Sequence, residues 1–327
     1  MSDFGPADDQ VDPVGSRRVI TCDLAVAVVE PSTIIIQIMT ARSAGRVLNE
    51  RFDVATDGVP ERGLQELTDP SETRVVTVLA RSGLLSVSYR AEIEARQPRT
   101  AGVLGLAPSP VAGTPSSDYL LQLYLRPSRY CPSDHIVGFA VAEFGVGSDV
   151  GARVAAITEW IRLRVGYVPG SSSVHDSAED TLLTGVGTCR DFAHLGVALC
   201  RATGVPARFA AVYAPGLLPM DFHAVYEAFV DGRWCVYDAT GLAPRSSLVR
   251  VVTGRDAADA AFVSVSRGIA DLASLVVSAT VEADLPIDDG SRIVELAQTS
   301  APGRDRATRV PVAKEPFSSL VNGLCSL

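Results

Sequence analysis

The stretch Gly187-Thr188-Cys189-Arg190-Asp191-Phe192-Ala193-His194 is where the reading of this chain begins. Gly185 and Gly187 permit a tight turn. From Cys189 to Thr203, Phe192, Leu195 and Leu199, with Val197, Ala198 and Cys200, form the broad apolar face of a helix that Gly204 and Pro206 end. Cys189 therefore opens a helix, where unpaired N–H groups and the positive end of the dipole favour an anion. A free thiol, with a pKa of about 8.5, holds little thiolate at neutral pH without such help.

Two islands follow, Asp221-Phe222-His223-Ala224 and Tyr237-Asp238-Ala239-Thr240. Strands are expected over 207–213, 223–230 and 233–237, the last two joined by the hairpin signal Asp231-Gly232. With the turn centred between those two residues, opposed positions have numbers adding to 463, so His223 faces position 240 and Asp238 lies on the diagonal. A diagonal neighbour on one face is within reach of side chains of this length. His223 can then supply an imidazolium to Cys189, and Asp238 can fix its tautomer, which is the logic of a Cys-His-Asp unit.

Working outward, residues 1–15 are an acidic leader expected to be disordered, without the basic and apolar regions of an export signal. Runs at 18–29, 33–40, 47–54, 73–79 and 84–94 read as strands of an N-terminal β domain, 16–98, with the turn signal Glu30-Pro31-Ser32 making the first two a β-hairpin or two adjacent strands. Residues 99–117, rich in Pro, Gly, Ser and Thr, read as a linker. The core is expected over 118–290, with helices at 136–144, 150–165, 177–183 and 257–261 and further strands at 247–252 and 272–283. Residues 291–327 read as a partly disordered tail.

The balance of 29 basic against 38 acidic residues, a net charge of −9, argues against nucleic acid and anionic membrane as partners. No apolar run is long enough to span a bilayer. The 6 scattered cysteines form no CxxC pair, which fits free thiols in a reducing cytoplasm.

Together, the Gly-x-Cys-Arg-Asp-Phe-Ala-His-Leu, Asp-Phe-His-Ala and Gly-Arg-Trp-x-x-Tyr-Asp-Ala-Thr islands resemble the bacterial branch of the transglutaminase-like superfamily, as does the Pro127–Asp134 segment before them. The resemblance covers roughly residues 16–265. It implies an α+β fold: a papain- or transglutaminase-like core, with the cysteine helix packed on an antiparallel sheet, preceded by an all-β sandwich-like domain. It also implies Cys189 as nucleophile, His223 as base and Asp238 as third member, acting without a cofactor on a protein or peptide substrate through a thioester. The chain departs from the family pattern at Arg190, where eukaryotic members carry Trp, at Val225, where an aromatic is common, and at Ala239, where Pro is common. The oxyanion partner beyond the Cys189 N–H is left unassigned.

Acyl transfer from glutamine carboxamides and hydrolysis of amide or peptide bonds share this first half, and both stay open. A non-catalytic binding or scaffolding module is the alternative. The three residues are also Zn²⁺ ligands in type, but neither HExxH nor paired CxxC accompanies them, and no metal is expected. His194, five positions after Cys189, is expected to pack or hydrogen-bond. Cys200 and Cys235 read as structural, and Tyr130 and Tyr213 as candidates for the cleft wall.

Overall fold

Alternation of apolar and polar residues sets the first element, β1 (Arg17–Ile36), whose even-numbered residues from Arg18 to Val28 are buried. A computed structural model describes residues 16–95, 119, 121–147, 149–290 and 292–296. The expected leader, the linker at 99–117 and all of the tail but 292–296 lie outside them.

The Glu30-Pro31-Ser32 signal does not make a hairpin. The chain runs on as one strand, and its register against its neighbours slips around Glu30 and Thr33. Proline lacks a ladder donor, and a bulge accommodates that as readily as a turn does. At the same point β1 changes neighbours, from β6 (Gly83–Ala95) along 17–28 to β5 (Arg74–Ala80) along 32–36. β2 (Gly45–Thr56) pairs with β6, the short β3 (Val59–Pro60) with β2, and β4 (Gln65–Thr68) with β5.

The chain then forms α1 (Val137–Phe144), α2 (Val150–Arg164), β7 (Gly166–Tyr167), α3 (Ala178–Thr184), β8 (Val186–Gly187) and α4 (Cys189–Ala202). Asp149 caps α2, its Oδ1 accepting from the Ala152 N–H at 2.8 Å. β9 (Ala207–Tyr213), β10 (Phe222–Val230), β11 (Arg233–Tyr237) and β12 (Val249–Gly254) make a second antiparallel sheet in the order β11-β10-β9-β12. Helix α4 packs on β10 and β9. At Gly196 a Cβ would lie 2.4 Å from the Tyr226 ring, so only glycine lets helix and sheet approach this closely.

The helix expected at 257–261 is instead a turn. Asp256 Oδ1 accepts from the Ala258 N–H at 2.9 Å, and Asp259 Oδ2 from the Arg255 N–H at 3.0 Å. These side-chain acceptors offer the backbone an alternative to helical bonds.

The last strand, β13 (Val263–Val281), pairs antiparallel with β1 from Ile36↔Val263 to Arg18↔Val281. Residues expected within the core thus complete the seven-stranded N-terminal sheet. Its apolar face and the second sheet share one cluster, in which Ile20, Leu24 and Leu85 are joined by Phe209, Tyr213 and Val249. Across three strands of the second sheet, Glu227 of β10 meets Arg208 of β9 at 2.6 Å and Arg250 of β12 at 3.3 Å. Arg250 continues to Ser43 Oγ at 3.1 Å, so the buried carboxylate and its cations tie the two halves together.

Candidate active site

Thr188 caps α4 with the help of Asp191, whose Oδ2 accepts from the Thr188 N–H and from Thr188 Oγ1, each at 2.8 Å. A Cβ at Gly187 would come within 2.7 Å of Asp191 Cβ, which explains the glycine. Burial works to raise the Asp191 pKa, but hydrogen bonds from Thr188 and Ser172 and the charge of Arg190 hold it below the usual carboxylate value. Cys189 follows as the first helical residue, half-buried. The thiols of Cys22, Cys131, Cys200 and Cys235 are buried, and burial pushes each up to about 12.

His223 stands on β10, 1% exposed. The β10–β11 ladder runs from Val230↔Arg233 to Tyr226↔Tyr237, the register expected from the turn. Asp231 and Gly232 both have positive φ, as a two-residue hairpin of this kind requires. The ladder stops at Tyr237, and Asp238 turns in beneath the ring, its Oδ2 2.8 Å from His223 Nε2. Asp238 Oδ1 accepts from the Thr240 N–H at 2.8 Å and from Thr240 Oγ1 at 2.7 Å. Thr240 is thus the orienting group for the carboxylate.

Burial opposes charge on His223, yet the Asp238 charge and hydrogen bond, together with the Cys189 thiol, push its pKa up to about 10. Asp238 is held below its ordinary value, since burial, which would raise it, is outweighed by His223 and Thr240. With Nε2 on Asp238, Nδ1 is the ring nitrogen left for the thiol, and it is buried with no hydrogen-bond partner.

His194 is 0% exposed and its Nε2 accepts from the Ala257 N–H at 3.1 Å. Its ring stacks on Tyr130 at 5.2 Å and lies 5.1 Å from Phe209. Arg190 bonds Ser172 Oγ at 2.8 Å and the Ser173 carbonyl, pairs with Asp191 at 3.2 Å and lies over the Tyr130 ring. The family departure at this position therefore pins the 171–173 loop beside the helix start.

Of the two tyrosines weighed for the cleft wall, Tyr213 is sealed in the core. Its hydroxyl donates to the Ile38 carbonyl at 2.6 Å, and Tyr130 sits under the helix against His194. Tyr167 comes forward as well. It is opposite Gly187 in the parallel β7–β8 pair, secured by the Val168 N–H donating to the Gly187 carbonyl at 2.9 Å. Burial, then the negative groups Cys189, Asp221, Asp238 and Asp191, raise its phenol pKa and keep it a donor. No local signal marked this residue, because a parallel contact between two-residue strands leaves no sequence pattern.

Among the described residues no group of three His, Cys, Asp or Glu side chains is arranged to hold a metal ion. The Asp238 carboxylate is already engaged by His223 and Thr240. No helix among these residues is long and apolar enough to cross a membrane.

Residues 141–239 match the core of the transglutaminase-like superfamily. A crystal structure from Cytophaga hutchinsonii, described as a candidate cysteine protease, is 35% identical, with a TM-score of 0.73 over 84% of this chain and 93% of that one. An uncharacterised protein of Mycobacterium leprae (strain TN) is 31% identical over 149 residues, 42% of this chain. The match spans 52%, about half, of that curated relative. The periplasmic domain of TgpA from Pseudomonas aeruginosa aligns at 16% identity and a TM-score of 0.36 over 66% of this chain and 91% of that domain, too distant to bear on the site.

Proposed function

Since the chain belongs to the transglutaminase-like superfamily, we propose that it is a thiol enzyme acting on amide bonds of protein or peptide substrates, with Cys189, His223 and Asp238 as its catalytic residues. The observation that carries this reading is the buried His223–Asp238 bond of 2.8 Å beside the half-buried thiol that opens α4.

Cys189 sulfur, as the thiolate, attacks the amide carbonyl, and the charge that develops on oxygen is met by the Cys189 N–H at the helix start and by the Tyr167 phenol. His223 gives its Nδ1 proton to the leaving nitrogen as the C–N bond breaks, leaving a thioester and a neutral imidazole. Water or an amine then attacks the thioester, His223 takes the proton, and the sulfur leaves as thiolate. Asp238 keeps Nε2 protonated and the ring in place throughout. The buried, unpaired state of Cys22, Cys131, Cys200 and Cys235 supports a reducing, cytoplasmic setting.

The test is to trap an acyl-enzyme with glutamine-containing and γ-glutamyl peptides and to read adduct and product by mass. The adduct is expected on Cys189 and is expected to vanish in Cys189→Ala, whereas turnover by Cys189→Ala at the parent rate would refute the reading. Tyr167→Phe is expected to lower kcat about 100-fold with KM little changed, as loss of one oxyanion donor does.

A further inference from the structure

The segment after β13 lies beyond the residues that match the family core, yet it returns to the strand that leads to Asp238. β11 is an edge strand of its sheet. Its Val236 N–H donates to the Val294 carbonyl at 2.8 Å, and Arg233 at its start meets Glu295 at 3.4 Å. Arg245, 5% exposed, joins the two. Its Nη1 donates to the Val236 carbonyl at 3.2 Å and its Nη2 to the Arg292 carbonyl at 3.0 Å. Nε and Nη2 each donate to one oxygen of Asp288 at 2.9 Å, and the Arg245 backbone N–H adds a third bond to that carboxylate at 2.8 Å. Tyr237, Asp238, Arg245 and Asp288 share one cavity of about 660 Å³. A Cβ at Gly216 would come within 2.7 Å of Leu285 and 3.5 Å of Pro244, so Leu285 packs against the loop between β9 and β10.

A bidentate arginine–carboxylate pair with three further backbone bonds fixes geometry as well as charge. We propose that Arg245 and Asp288 are positioning residues for the Cys189 reaction: the pair clamps the strand before Asp238 to residues 288–290 and 292–295 and keeps the guanidinium charge matched, so that it neither draws Asp238 away nor opposes the imidazolium. The inference rests on the thiol-enzyme reading above. The other charged or titratable groups near the dyad and its neighbours are Cys189 and Asp191 from α4, Tyr167 from β7, Asp221 from the loop before β10 and Tyr237 from β11, and, around the shared cavity, Asp289 and the Glu159–Arg162 pair of α2, which meet at 2.6 Å. Arg190 has its charge taken by Asp191 at 3.2 Å.

The experiment uses the full chain, whose 4 histidines allow the His223 ring protons to be assigned and followed by NMR against pH. Asp288→Asn unmasks a cation and is expected to lower the His223 midpoint by roughly one pH unit, the effect of a unit charge several Å away at an effective dielectric of about 20. Arg245→Gln leaves an anion and is expected to raise it, and the double variant is expected to return it towards the parent value. A clamp that only holds the fold would lower the melting temperature and leave the midpoint where it was. The proposal is overturned if either single variant, folded by circular dichroism, titrates like the parent, or if both shift it the same way. Should one variant not fold, the other still reads the sign. Failure of the thiol-enzyme reading shows separately, as alkylation of Cys189 at pH 6 that is unchanged by His223→Ala in the parent background.

Discussion

His223 on β10 and His194 within α4 are both sealed from solvent, and burial acts on both rings against the charged form. The outcomes are opposite: His194 is pushed down to about 3 and His223 up to about 10. One difference is the group facing Nε2. At His194 it is the Ala257 N–H, a donor that occupies the lone pair a proton would need. At His223 it is the Asp238 carboxylate, itself fastened by Thr240, which attracts the proton. At the same depth, one ring is held neutral by burial against a backbone donor, with Arg190 and Arg201 adding to that and Asp256 and Asp191 opposing it, and the other faces a carboxylate.

The strongest way to break this contrast is to remove the carboxylate's charge. Asp238→Asn is expected to drop the His223 midpoint below neutrality and to cut turnover of an amide substrate by ~10³–10⁴-fold, since the ring loses both its tautomer and its counter-charge. NMR titration and kcat would show it, and a parent-like midpoint would mean that Asp238 is not what raises His223. Next, Thr240→Val deletes the 2.7 Å side-chain bond to Asp238 and keeps the backbone one. About a tenfold loss of kcat is expected, with thermal stability nearly unchanged.

His194→Phe probes the other ring, keeping the stack and losing only the acceptor. The Ala257 N–H is left unpaired, at a cost of about 1–3 kcal/mol of stability measurable by denaturant unfolding at pH 7. Because the unfolded His194 binds a proton below about 6.5 that the folded ring refuses until about 3, the parent loses stability as pH falls between those values. The variant is expected to be flatter there by at most about 1.4 kcal/mol per pH unit. His223 has the reverse sign: its contribution is complete below about 6.5 and is lost as pH rises through about 10. Alkylation of Cys189 is expected to be unchanged in His194→Phe.

The hairpin register was legible because two positive-φ residues at Asp231-Gly232 leave the flanking strands one pairing, which holds from Val230↔Arg233 to Tyr226↔Tyr237 and ends one residue before Asp238. The helix bearing Cys189 was legible for the same kind of reason: its apolar periodicity and terminating Gly204 are both local. Pro31 was misread as a turn, since a local proline signal does not distinguish a turn from a bulge. Tyr167 was missed because its place depends on a contact twenty residues away, Tyr167↔Gly187.

Local patterning by itself determined the helix start, the three strands behind it and the order of Cys189, His223 and Asp238, since each depends on neighbours within a few residues. Only the tertiary structure decided that β13 returns to β1, that Arg190 pins the 171–173 loop, and that Arg245 and Asp288 fasten the strand before Asp238. These are pairings between distant segments, set by which surfaces remain unburied and which charges unmatched once the local elements have formed.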